Sequence, residues 1–169
     1  MADILPWLDY KWSFDFPVGM YRAICERLRG TPARLEDMLR GADRAALTRR
    51  PEGKWSVQEH VGHLLVLEDG LHYPRFEQYL RGEKELMAAD MSNRATSEAN
   101  FNHRPMADLL REFRAAREKL MRLLDPLTLN HAARVATHPR LKMPLRLVDL
   151  CYFGAQHDDH HVAVIRSLV

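Results

Sequence analysis

Four stretches of this chain repeat apolar residues three and four positions apart, a period that fits an α-helix with one buried face. The first, 17–41, carries Tyr21, Ile24, Cys25 and Leu28, then Leu35, Met38 and Leu39. Pro17 suits a first turn, where a missing N–H costs nothing. Thr31-Pro32 reads as an N-cap followed by a first-turn proline, so a bend or break is expected near Gly30. The second stretch, 57–81, begins at Trp55-Ser56-Val57-Gln58-Glu59. That is a capping box: Ser56 takes an orphan N–H while Glu59 reaches back to the Ser56 N–H. Pro74 should kink this helix, because it removes one i to i−4 hydrogen bond. The third stretch starts near Pro105, runs through Leu109, Phe113 and Leu120, and stops at Asp125-Pro126. The fourth, 145–168, opens at Pro144. No strand pair with a hairpin signal stands out. The expected architecture is an all-α four-helix bundle, one domain over 1–169.

Several function classes drop out on charge and composition. Net charge is +2, with Lys and Arg spread among similar numbers of Asp and Glu, so no footprint for nucleic acid is present. No window approaches the ~18 uninterrupted apolar residues of a membrane span. Met1 to Tyr10 carries Asp3, Pro6 and Asp9 and lacks the basic-then-apolar order of a secretory signal. Trp7, Tyr10, Trp12 and Phe14 read instead as a packed N-terminal arm. Cys25 and Cys151 are the only thiols, each inside a helix-like segment, which fits a reducing compartment and a cytoplasmic location.

The chemistry concentrates in the last helix, at Gln156-His157-Asp158-Asp159-His160-His161. His157 and His161 lie one turn apart, in a row with Leu150, Phe153, Gly154, Val164, Ile165 and Leu168. Two imidazoles on a core-facing stripe make half of a divalent-metal site. The other half needs at least a third ligand, and bundles supply ligands from facing helices. His63 shares the inward row of the second helix with Leu64, Leu67 and Leu71. His63, His157 and His161 give three nitrogens and leave coordination open for water or substrate, the mark of a catalytic rather than a structural metal. Imidazole ligands suit zinc, nickel, iron and copper alike; zinc or nickel is the expected ion.

The pattern Trp55-Ser56-x-x-Glu59-x-x-x-His63-Leu64, together with His157-Asp158-x-His160-His161, resembles the DinB/YfiT-like superfamily. Leu28-Arg29-Gly30-Thr31-Pro32 and His138-Pro139 extend the resemblance over nearly the whole chain. It implies a four-helix bundle whose second and third helices run parallel, which requires a long crossover such as 82–104. It also implies a divalent metal on one histidine of the second helix and an H-x-x-x-H pair of the fourth, matching His63, His157 and His161. A homodimer is implied as well. The activities implied are a metal-dependent hydrolase acting on a small-molecule substrate, or a transferase or isomerase using a low-molecular-weight thiol.

Each residue also has a plainer role. Glu59 could serve as a general base, but its capping duty already explains it. His160 competes for a ligand position and otherwise supports or packs beside the ligands. His60 is expected at the surface or rim of the bundle, Asp158 and Asp159 facing away or steadying a ligand. His138 lines the mouth of the site or is ordinary loop. The arginines of 75–81 and 111–122 read as solvated faces, with Arg75 a candidate to meet an anionic substrate. A di-iron site fits poorly, because only Asp158-x-x-His161 has suitable spacing. A metal-binding module without turnover, and a plain helical scaffold, stay open beside the enzyme reading. A solvent-open cavity lined by 82–104 and 127–144 would favour the enzyme.

Overall fold

The apolar repeats become helices that begin and end where their capping residues sit. A computed structural model describes residues 4–169; Met1, Ala2 and Asp3, the start of the stretch read as lacking a signal, lie outside it. The elements are α1 (Tyr21–Met38), α2 (Arg44–Thr48), α3 (Val57–Leu67), a π turn (Glu68–His72), α4 (Tyr73–Arg81), α5 (Arg94–Glu98), α6 (Met106–Leu124), α7 (Leu129–Ala132), β1 (Val135–His138), β2 (Met143–Arg146) and α8 (Leu147–Leu168). The capping box forms as expected: Ser56 Oγ accepts from the Glu59 N–H at 3.1 Å, and Glu59 Oε2 accepts from the Ser56 N–H at 2.9 Å. The kink expected at Pro74 takes the form of the π turn just before it, where the wider register absorbs the missing donor. Gly82, at φ 76°, ends α4 in the left-handed region that glycine adopts without strain.

Partner residues give the helix directions. Gln58 bonds the Phe101 and Arg104 carbonyls, Glu68 meets Arg117 and Asp69 meets Lys119, so α3–α4 and α6 run parallel. Arg27 meets Gln156, Thr31 meets Asp158 and Arg34 meets Asp159, so α1 and α8 are parallel too. Arg22 against Leu127 and Glu36 against Arg114 set these two pairs antiparallel to each other. Parallel neighbours cannot be joined by a tight turn, which is why the chain needs the 82–104 crossover. Four long helices in this order make the expected four-helix bundle.

The first helix corrects an expectation. It runs unbroken through Gly30, Thr31 and Pro32. Thr31 does not cap; its hydroxyl donates to Asp158 Oδ2 at 2.7 Å. Pro32 cannot donate to the Leu28 carbonyl, a loss that would ordinarily break the helix. Arg117 Nη1 donates to that carbonyl instead, at 2.5 Å, so the freed acceptor stays satisfied.

A small antiparallel hairpin also forms where no strands were expected. Val135 pairs with Arg146 and His138 with Met143, and the Leu86 N–H donates to the Thr137 carbonyl while the Thr137 N–H donates to that of Lys84, which ties the crossover to the hairpin's edge. Pro144 therefore lies in β2, not in the first turn of the last helix, which starts at Leu147. Asp149 sets that start by accepting from the Arg146 N–H at 2.7 Å and from its guanidinium.

Two apolar clusters fill the bundle. One joins Tyr21, Leu28, Phe76, Leu120 and Leu150; the other joins Leu35, Val61, Leu64, Phe113 and Ile165. A buried polar layer separates them. There Arg117, solvated by expectation, is 2% exposed and pairs with Glu68 at 2.5 Å and Asp158 at 2.7 Å. In the second cluster the Phe101 ring packs so closely on Gly62 that a Cβ there would lie within 2.6 Å of three ring carbons. Gly62→Ala must therefore displace Phe101 and the crossover it anchors. A loss of about 1–3 kcal/mol is expected from overpacking, read as a lowered urea midpoint at unchanged m.

Candidate metal centre

His63 enters the polar layer from α3, and His157 and His161 enter it from the antiparallel α8. One donor atom from each lies within 4.8 Å of the others. Their ring centroids are 4.5, 4.9 and 5.4 Å apart, and all three residues are buried. The sequence-based expectation that these three side chains meet is what the geometry shows.

The outer nitrogens orient two of the rings. His63 Nδ1 lies 3.0 Å from Thr96 Oγ1 on α5, and His161 Nδ1 lies 2.9 Å from His60 Nδ1. The tautomers that donate from these Nδ1 atoms carry their lone pairs on Nε2. Nε2 of His157 and His161 are 3.2 Å apart. Two nitrogens bonded to one tetrahedral ion at ~2.0–2.1 Å would be separated by about 3.3 Å, so this pair of donors already stands at the spacing of ligands on a transition-metal ion. His157 Nδ1 is buried without a hydrogen-bond partner among the described residues; its ring is held by packing, with the Trp7 ring centroid 5.0 Å away and the two planes near perpendicular.

Burial sets the protonation state. Desolvation, then the neighbouring His60 and His72, hold His63 down at about 3. Desolvation comes first for His60 and His72, both near 4, and it pushes His157 and His161 well below the ordinary histidine range. All are neutral at pH 7, the form that binds metal. Their linkage to stability has a definite sign. Above pH 6.5 folded and unfolded chains bind the same protons at these sites. Below it the unfolded chain binds more, so stability falls until the folded values near 3–4 are passed. Metal-free protein is expected to show a flat urea midpoint above pH 6.5 and a falling one from there to pH 4.

Other expectations shift. His60 is buried against His161 and Trp55 rather than at the rim, a partnership invisible until α3 and α8 are antiparallel. His160 is half-buried, its Nδ1 3.4 Å from the Tyr10 hydroxyl. Glu59 turns both oxygens to Arg50 and the Ser56 N–H. Burial raises its pKa, but Arg50 and Ser56 outweigh that and hold it below the usual range. Asp158 and Asp159 face away from the imidazoles, toward Arg117 and Thr31, and toward Arg27 and Arg34. Arg75 is 1% exposed, not solvated.

A cavity of about 310 Å³ touches all three histidines, with Trp7, Arg75 and Arg140 also in its wall. The crossover contributes Ala89, Asp90, Met91 and Asn93, and the hairpin turn His138 and Arg140, the two connections expected to line an open site. Exposed Leu8 and Met91 form its rim. A larger hollow of about 590 Å³ beside Trp55 and His160 reaches none of the three.

A bundle of paired parallel helices with three converging imidazoles beside an open cavity defines the class. The chain belongs to the DinB superfamily, whose sequence profile matches residues 27–165. In fold it is similar to YfiT from Bacillus subtilis, "a probable metal-dependent hydrolase with an unusual four-helix bundle topology". The TM-score is 0.80 at 23% identity, covering 94% of this chain and 91% of that one. It is similar also to the mycothiol-dependent maleylpyruvate isomerase, with a TM-score of 0.67 at 12% identity. That match covers 88% of this chain and 60% of the isomerase. No curated protein matches the sequence. Among the described residues no helix is long and apolar enough to cross a membrane.

Proposed function

We propose that this protein is a metal-dependent hydrolase holding one divalent transition metal ion, zinc or nickel, on His63, His157 and His161. The carrying observation is the convergence of three neutral imidazoles, from two helices, on the wall of a cavity open to solvent. When bound there, such an ion supplies Lewis acidity that makes water or a thiol nucleophilic near neutral pH. Thr96 and His60 fix two of the rings, and Trp7 shields the third from water. His160 lines the same cavity and burial lowers its pKa, so it is neutral at pH 7 and placed to accept a proton from the attacking nucleophile. Glu59 is left to its cap.

The likeness to YfiT supports the hydrolase reading, and the likeness to a mycothiol-dependent enzyme supports a second one, in which a low-molecular-weight thiol replaces water. A homodimer in the cytoplasm belongs to the same proposal; Cys25 and Cys151 are both buried free thiols. The test is turnover of a panel of small esters and amides by zinc- or nickel-loaded protein, with and without added thiols. Metal-dependent turnover is expected. His160→Ala should keep the metal while lowering kcat by ~10²–10⁴. Full metal content with no turnover of any substrate would leave a binding module in place of an enzyme.

A further inference from the structure

Arg75 and Arg117 are both buried arginines, and they differ in one respect. Arg117 is neutralised by Glu68 and Asp158. Among the described residues Arg75 has no carboxylate partner: Nε and Nη2 donate to the Met87 carbonyl at 3.0 and 2.9 Å, and Nη1 lies 3.3 Å from His138 Nε2. A guanidinium has five N–H donors, so two remain. Burying a guanidinium without a counter-charge is costly, and a bound anion would offset that cost.

His138 sharpens the point. Its Nδ1 lies 3.3 Å from the Leu141 N–H and its Nε2 faces Arg75, a donor at each nitrogen. Desolvation, Arg75 and Arg140 keep this ring neutral, down near 3. A neutral imidazole accepts at one nitrogen only. One of the two donors that face it, the Leu141 N–H or Arg75 Nη1, is therefore left without an acceptor on this ring. Arg140 adds a third case: its buried Nη2 has no partner among the described residues. Its guanidinium lies 5.9 Å from the Trp7 ring centre and 5.5 Å from that of Phe153. Among the described residues Asp90 is the one carboxylate in the cavity wall, and its oxygens are occupied by Ser92 and Arg94. Surplus donors and two positive charges thus share one wall of a cavity whose other wall is the histidine cluster. Trp7 spans the two, its ring 5.1 Å from Phe153 and 5.0 Å from His157.

We infer that Arg75, His138 and Arg140 form a carboxylate-binding subsite, and that the substrate acted on beside the histidines is a small organic carboxylate with an apolar or aromatic body against Trp7 and Phe153. The planar guanidinium fork binds a carboxylate in bidentate fashion, the Trp7 and Phe153 rings beside Arg140 favour an anion with an apolar body over inorganic phosphate, and a 310 Å³ cavity suits a small ligand. The substrate class rests on the proposed metal-dependent reaction; the subsite itself does not.

Calorimetric titration of the full chain, metal-free and zinc-loaded, with benzoate, benzamide and inorganic phosphate tests it. Metal-free protein is expected to bind benzoate roughly tenfold or more tighter than benzamide or phosphate, the size of one charge-assisted hydrogen bond. Arg140→Gln, in the half-buried hairpin turn, should weaken benzoate by a similar factor while zinc stoichiometry stays unchanged. Equal affinity for benzoate and benzamide, tighter phosphate, an unaffected Arg140→Gln, or benzoate binding only with zinc present would each overturn the subsite. Benzoate selectivity in a protein that takes up no zinc would uphold the subsite and refute the metal reading alone.

Discussion

His157→Ala is expected to abolish stoichiometric metal binding while leaving the bundle folded. Three imidazoles hold the ion in the proposed site, and removal of one leaves two, too few to hold it firmly. Loss of an outer partner of a ligand ordinarily costs 10- to 100-fold in affinity. Thr96→Val, which removes only the partner of His63 Nδ1, should therefore weaken zinc by about that factor. His157→Ala should exceed it. Stability offers a second readout: an ion at ~1,000 times its Kd stabilises the folded state by about 4 kcal/mol. Wild type should lose that increment on chelation, and His157→Ala should melt at the same temperature with and without zinc. His157 suits the test because, among the described residues, its Nδ1 has no partner to leave stranded.

Arg117→Met is expected to cost about 3–5 kcal/mol, the usual consequence of leaving buried charge unpaired. At 2% exposure the guanidinium holds two carboxylates from different helices and also satisfies the Leu28 carbonyl that Pro32 cannot. Burial drives Glu68 upward in pKa even with Arg117 beside it. Without the cation the Glu68 and Asp158 carboxylates face each other in the core. A chain of this size should lose roughly 10 °C or more in Tm at neutral pH. Replacing Arg117, Glu68 and Asp158 together by apolar residues should recover most of that loss, because the net worth of a buried ionic group is small. An unchanged Tm in Arg117→Met would mean that the polar layer does not hold the two apolar clusters together.

What was readable in the sequence follows from the range of the interactions involved. The Ser56–Glu59 cap is local, so three residues suffice to read it. His63, His157 and His161 announce themselves because polar side chains on a core row need a reason to be there. Arg117 sits in just such a row, four residues after Phe113 and three before Leu120, and that signal was available. Its partners lie on two other helices, so the pairing depends on a topology that helical periodicity does not specify. Thr31-Pro32 misleads for the same reason: a local rule for a helix start yields to Arg117 and Asp158 arriving from elsewhere in the fold. The hairpin escapes because two four-residue strands, one containing Pro144, are too short to show a period of two. His60 and Arg75 look like surface residues until the parallel helix pairs bury them.

The most direct test of this account is X-ray absorption at the metal edge, on protein purified without a histidine tag and loaded with one equivalent of zinc. The account predicts one tightly held ion with three imidazole nitrogens at ~2.0–2.1 Å and the remaining coordination from solvent. Zinc that washes off on gel filtration, or a shell without imidazole scattering, would contradict it.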